Sequence, residues 1–158
     1  MMKGTALFLA TLALAACGGD SGTAPTTPTT PTYADVAGTY NGSIVGTSSG
    51  ITVDLSWVLT MTRSGGNLTG TVVSTGTLSD FSGTVATGGT STITGTVGTG
   101  TNPTVTITFA PECAASSTWS GTYTAANRRL GLSGDLKYYL PDCTLLVAFV
   151  GTTVVMFK

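Results

Sequence analysis

The 158-residue sequence contains no histidine. That absence removes the usual near-neutral general base, the commonest metal ligand, and every Ser-His-Asp or Cys-His scheme. Charge is also scarce: six Lys and Arg stand against seven Asp and Glu, 8% of the chain, for a net charge of −1. The basic residues do not cluster beyond Arg128 and Arg129, so there is no electrostatic footprint for a phosphate backbone, and no nucleic-acid partner is expected. No segment has a helical period. Cysteine is down to three, an odd number that leaves one without a partner. With no nucleophile, base and oxyanion constellation to assemble, the chain reads as a non-enzyme without cofactor or metal.

What the chain has in excess is threonine, 34 residues, in a composition that is 41% hydrophobic with a mean hydropathy of +0.36. Threonine favours strands because its branched Cβ suits a pleated, half-exposed surface. Hydroxyls must then supply the solubility that charge does not. The length fits one domain with a real core, and the expected class is all-β.

A short phrase recurs along the chain: "VAGTY" at 36, "LTGTV" at 68, "FSGTV" at 81, "ITGTV" at 93, "WSGTY" at 119 and "LSGDL" at 132. Each places an apolar residue, a glycine and another apolar residue at alternate positions, which is one face of a strand. "ITVDLSWVLTMT" from 51 and "TVTITF" from 104 alternate in the same way. Turn signals at "TSSG", "RSGGN", "TGGT", "GTGTNP" and "AANRR" divide the run. The expected strands lie near 38–46, 51–62, 67–74, 79–86, 91–98, 104–110, 117–125 and 129–138, and the tail from Thr144 forms one bent strand or two.

One-sided strands on short turns favour an antiparallel meander, and closing it removes edges open to aggregation. The expected fold is therefore a small antiparallel up-and-down β-barrel of about 8 to 10 strands. Inward glycines would permit tight coiling, leave room for a cross-strand aromatic, or leave the lumen partly hollow. A transmembrane barrel is set aside: most strands are shorter than the required ~9–11 residues, aromatic girdles are missing, and glycine interrupts the apolar face.

Cys113 and Cys143 follow "PE" and "PD" in loops two strands apart, which places both on one rim and predicts a disulfide. Glu112 and Asp142 share that rim; paired carboxylates can hold Ca²⁺ or work as acid and base, but without further ligands they read as solvated loop acids. Asp54 and Asp135 have outward parity, and Arg128 and Arg129 fall in a turn at the other rim. Trp57, Trp119, Tyr40, Tyr123, Phe81 and Phe109 have inward parity. They are expected core residues and the candidate ligand-lining set.

Residues 1–16 carry Lys3 and a short apolar run that leads into "LAAC", whose cysteine, Cys17, is the unpaired one. This stretch resembles the signal peptide and lipobox of bacterial lipoproteins. That resemblance implies lipid on the Cys17 thiol, anchorage in the cell envelope, and, with glycines rather than aspartate next to Cys17, the outer membrane. Residues 17–32 form a Pro/Thr-rich linker too poor in apolar side chains to build a core, and 33–158 are the expected barrel domain. "NLTGTV" at 67, "STWSGTY" at 117 and "AGTYNG" at 37 are similar to strand sequences of the avidin and lipocalin type. That likeness implies a calyx-like shape and maps a ligand-contacting tryptophan onto Trp119. Two functions stay open: a lipid-anchored module binding a small apolar ligand, and an envelope interaction protein with a side-chain-filled barrel.

Overall fold

The computed structural model describes residues 29–113 and 115–158. The lipobox, Cys17 and most of the linker lie outside the described residues. Pro31–Lys158 form one compact unit, a closed barrel with strand order β1 to β8 around the ring. The strands are β1 (Gly38–Ser48), β2 (Ile51–Ser64), β3 (Asn67–Asp80), β4 (Gly83–Val97), β5 (Thr104–Glu112), β6 (Ala115–Thr124), β7 (Arg129–Tyr139) and β8 (Leu145–Phe157). Every pairing is antiparallel, and β1 closes on β8 through Asn41–Ser43 against Val155–Phe157.

The period-two pattern sets the two faces. Inward positions such as Val53, Leu55, Trp57, Leu59 and Met61 of β2 are buried, while their threonine and serine neighbours are exposed. On the outside, hydroxyls face one another across strands: Thr39 and Thr60 at 3.2 Å, Thr62 and Thr69 at 3.0 Å, Thr108 and Thr118 at 3.1 Å, Ser133 and Thr153 at 3.0 Å. Such pairs satisfy one another and still accept water, so threonine solvates the surface where charge is missing.

Inside, large and small residues alternate around the ring. Trp57 lies between Gly42 and Ser74, and Ser74 is followed by Gly89; Trp119 lies between Ile107 and Gly134. A Cβ on Gly134 would stand 2.5 Å from the Trp119 ring, so this glycine is the seat of a cross-strand aromatic.

Three expectations are corrected. The segments 67–74, 79–86 and 91–98 are not three strands but two: β3 and β4 run unbroken through Thr75–Gly76 and through "TGGT". That leaves eight strands of 9 to 15 residues, so shortness does not set this barrel apart from a membrane-spanning one, and lets the tail be a single strand, bent at Gly151, whose φ is 62°. Phe81 is not inward. It sits with Ser82 in the two-residue turn between Asp80 and Gly83 and is fully exposed, because the Asp80 carboxylate organises that turn by accepting from Ser82 N (2.7 Å), Ser82 Oγ (2.6 Å) and Gly83 N (3.1 Å). Asp135 is not a plain outward residue but lies at a bulge, where its carboxylate accepts from Gly151 N at 3.0 Å.

The two ends differ. One rim carries the β2–β3, β4–β5 and β6–β7 connections and is stoppered by the segment before β1, where Tyr33 bridges Thr99 and Val36 is buried. Tyr40 Oη donates to Val36 O at 2.9 Å, and its ring meets Tyr123 edge-on at 6.3 Å. Tyr40→Phe would orphan that buried carbonyl and is expected to cost about 1–2 kcal/mol in urea unfolding. No loss would mean the stopper does not depend on this bond.

Candidate functional site

The other rim carries the β1–β2, β3–β4, β5–β6 and β7–β8 connections, and here the barrel is open. A cavity of about 640 Å³ lined by residues of β2 to β7 descends from this rim, within the roughly 300–1,000 Å³ range of small-molecule sites. Trp57, Trp119 and Phe109 line it as one cluster: Trp57 is 4.9 Å from Trp119 and 5.4 Å from Phe109, centroid to centroid, with tilted planes.

The cavity exists because the inward positions above these rings are small. Ser74 on β3, Thr87, Gly89 and Ser91 on β4, and Ser117 on β6 stand where the same strands carry larger buried residues lower down: Leu68 and Val72, Ile93 and Val97, and Trp119 and Tyr123. Ser117 also orients a ring. Its hydroxyl accepts from Trp119 Nε1 at 3.0 Å and donates to Asp135 O at 2.6 Å, fixing the indole against the bulge. The indole N–H of Trp57 is buried and has no acceptor among the described residues.

Of the six sequence-level candidates, Trp57, Trp119 and Phe109 come together at the cavity. Tyr40 and Tyr123 pack in the stoppered half, and Phe81 stands on the lip. The residues missed by sequence reasoning are the small inward ones and Tyr138, Leu136 and Lys137 of β7, which also line the mouth. A run of Ser, Gly and Thr at alternate positions was the available signal.

The open seam has a backbone cause. Strand β4 pairs with β3 along its whole length, down to Asp80–Gly83, but with β5 only from Ile93 to Val97. Among the described residues, no strand covers Gly83–Thr92 on the side away from β3. Cys113, at the β5–β6 tip, is joined to Cys143 in the β7–β8 connection with a Cα–Cα distance of 5.2 Å. The cross-link holds the β5–β6 hairpin toward β7 and β8, away from β4.

Charge is segregated along the barrel. Asp54, Asp80, Glu112, Asp135 and Asp142 lie in the open half, with Lys137; Arg63, Arg128, Arg129 and Lys158 lie toward the stoppered rim, with Asp35. Hydrogen bonds from Ser82 hold the Asp80 carboxyl below the usual aspartate range, and those from Thr144 do the same for Asp142. Burial pushes the Tyr40 hydroxyl above the usual phenol value, with Tyr123 adding to the shift. The lowered acids contribute stability that is present above about pH 4 and lost as pH falls; the raised phenol contributes stability that is present below about pH 10 and lost as pH rises. With no histidine, the urea midpoint of the domain is expected to stay level between about pH 5 and 8 and to fall only below about pH 4 and above about pH 10. A step inside that window would contradict this reading.

Among the described residues no group of three or more His, Cys, Asp or Glu is placed to hold a metal ion. The Asp142 carboxylate instead accepts from Thr144 N at 3.0 Å within its own loop. Comparison of the chain with protein-family models, with curated proteins and with solved structures gives no match.

Proposed function

We propose that the chain is a lipid-anchored bacterial envelope protein whose barrel binds a small apolar ligand in the open cavity, without catalysing a reaction. The observation that carries this reading is the row of small inward residues, Ser74, Thr87, Gly89, Ser91 and Ser117, above an aromatic floor. A barrel built only as a scaffold gains by filling such positions, because each buried methylene adds about 0.8 kcal/mol. The anchor is supported by the "LAAC" sequence at Cys17.

The test uses the neutral dye N-phenyl-1-naphthylamine, which accepts energy from tryptophan. Saturable one-to-one binding with quenching of Trp57 and Trp119 is the expected result. Gly89→Phe supplies the control: a Cβ there meets nothing within 4 Å, so the ring would fill the cavity without straining the strand and abolish binding. No saturable binding by the parent domain would overturn the reading. For the anchor, Cys17→Ser is expected to move the protein from the membrane fraction to the soluble one; unchanged fractionation would remove it.

A second reading, a protein-interaction module, is favoured by the apolar side chains around the same mouth: Phe81, Val85, Leu140, Leu145 and Leu146 are all exposed there. Exposed apolar groups gathered on one rim mark a contact surface more than scattered ones do.

A further inference from the structure

The Gly83–Thr92 stretch of β4 combines three features that separately mean little. It is a strand edge ten residues long, hydrogen-bonded to β3 on one side and to no described strand on the other. Alternate residues of such an edge present their N–H and C=O groups outward, as a ladder without a partner. Proteins usually blunt an edge of this kind with lysine, proline or a bulge against its partner, yet "GTVATGGTST" contains no charge and no proline, and its register against β3 is unbroken. The edge also borders the aromatic cavity, for Thr87–Thr92 line it. Finally, the rim around it is acidic: Asp54, Asp80, Asp135 and Asp142 outnumber Lys137.

We propose that β4 accepts an extended peptide as an added strand, with alternate apolar side chains entering the cavity over Trp57, Trp119 and Phe109 and basic flanks meeting the acidic rim. The proposal rests on the cavity being a binding site for apolar groups; here those groups are side chains carried by a peptide rather than a free small molecule. Backbone pairing supplies affinity that does not depend on sequence, and the cavity selects what stands at every second position. The Cys113–Cys143 bridge ties the tip of the β5–β6 hairpin to the β7–β8 connection, and β5 pairs with β4 only from Ile93 to Val97, so the edge is left without a partner strand.

The experiment uses the oxidised domain and a synthetic peptide in which valine and threonine alternate around a central phenylalanine, with two lysines at each end. The expected result is binding together with slowed amide exchange confined to the outward-facing amides of Gly83–Thr92. The same peptide N-methylated at alternate amides keeps every side chain and loses the ladder, and is expected to bind at least about tenfold more weakly. A version flanked by glutamates is expected to bind about fivefold or more weakly, the gap closing as salt is added. Equal binding of the N-methylated peptide, or binding without protection in β4, overturns the proposal. So does a β4-to-β4 dimer of the domain that the peptide fails to dissociate. If the naphthylamine dye enters and the peptide does not bind, the strand-adding edge alone is lost; if neither binds, the cavity is lost as a binding site and the proposal with it.

Discussion

Gly121→Val is expected to cost about 4 kcal/mol or more, enough to leave much of a small domain unfolded at room temperature. A Cβ at this position would stand 1.8 Å from the backbone carbonyl oxygen of Gly131 on the adjoining strand, and 2.9 Å from Leu132 Cα. Backbone held in a ladder cannot move aside as the end of a flexible side chain does, so relief requires breaking the β6–β7 pairing of Thr122 with Gly131 or of Gly121 with Leu132. The same approach recurs at Gly70 against Thr60 O (2.0 Å), Gly76 against Asp54 O (1.9 Å) and Gly95 against Thr106 O (2.1 Å). These glycines are where neighbouring strands come too close for any side chain, which is how a narrow ring of eight strands coils. Gly131→Ala is the matched control. A Cβ there meets nothing within 4 Å, on the strand paired with Gly121, and the change is expected to be neutral within about 1 kcal/mol. Urea unfolding of both variants separates close approach from a general dislike of side chains at glycine positions; equal effects would refute the close-approach argument.

Removal of the Cys113–Cys143 bridge is the other large effect. The cross-link spans 30 residues, and the chain-entropy relation gives about 3.5 kcal/mol for a loop of that length. The paired Cys113→Ser, Cys143→Ser variant, or the parent protein under reductant, is expected to lose roughly that amount in urea unfolding. The loss should fall on the open half, because β5–β6 and β7–β8 meet there, while Tyr40, Tyr123 and the stoppered rim keep their contacts. Amide exchange in the reduced protein is therefore expected to rise at Cys113, Ser116 and Ser117 and at Tyr139, Leu140 and Asp142–Leu145 before it rises around Gly38–Asn41. Uniform acceleration would show that the bridge stabilises the whole ring alike.

Fold class was legible because inward and outward residues differ so cleanly in β1, β2, β5 and β6. Apolar residues every second position against threonine leave no helical alternative. Ring closure followed from the cost of leaving edges open and the disulfide from parity, and the misreading of β3 and β4 did not disturb the latter, since both cysteines lie downstream of that error. What failed was the reading of Thr75–Gly76 and of "TGGT" as breaks. Glycine and threonine signal turns when nothing else decides, yet here Gly76 sits tight against Asp54 O and Gly89 faces the cavity, so both serve the strand interior. The true turn lay in "SDFSG", where the aspartate side chain supplies the hydrogen bonds, and the phrase repeat drew Phe81 into a strand it only caps. The cavity was illegible for the same reason: small residues inside a barrel mark open space only once the strands carrying them are known to be continuous. The free edge of β4 is a property of register, visible in no single strand.

Ligand entry and strand addition both depend on the seam between β4 and β5 standing open in the free molecule. Amide hydrogen exchange along β4, measured by NMR on the oxidised, unliganded domain, tests this directly. The expected result is strong protection from Ile93 to Val97, where β5 covers the strand, and fast exchange at every second amide from Gly83 to Thr92, where nothing does. Protection continuing without alternation to Gly83 would mean that the seam is shut and the cavity closed.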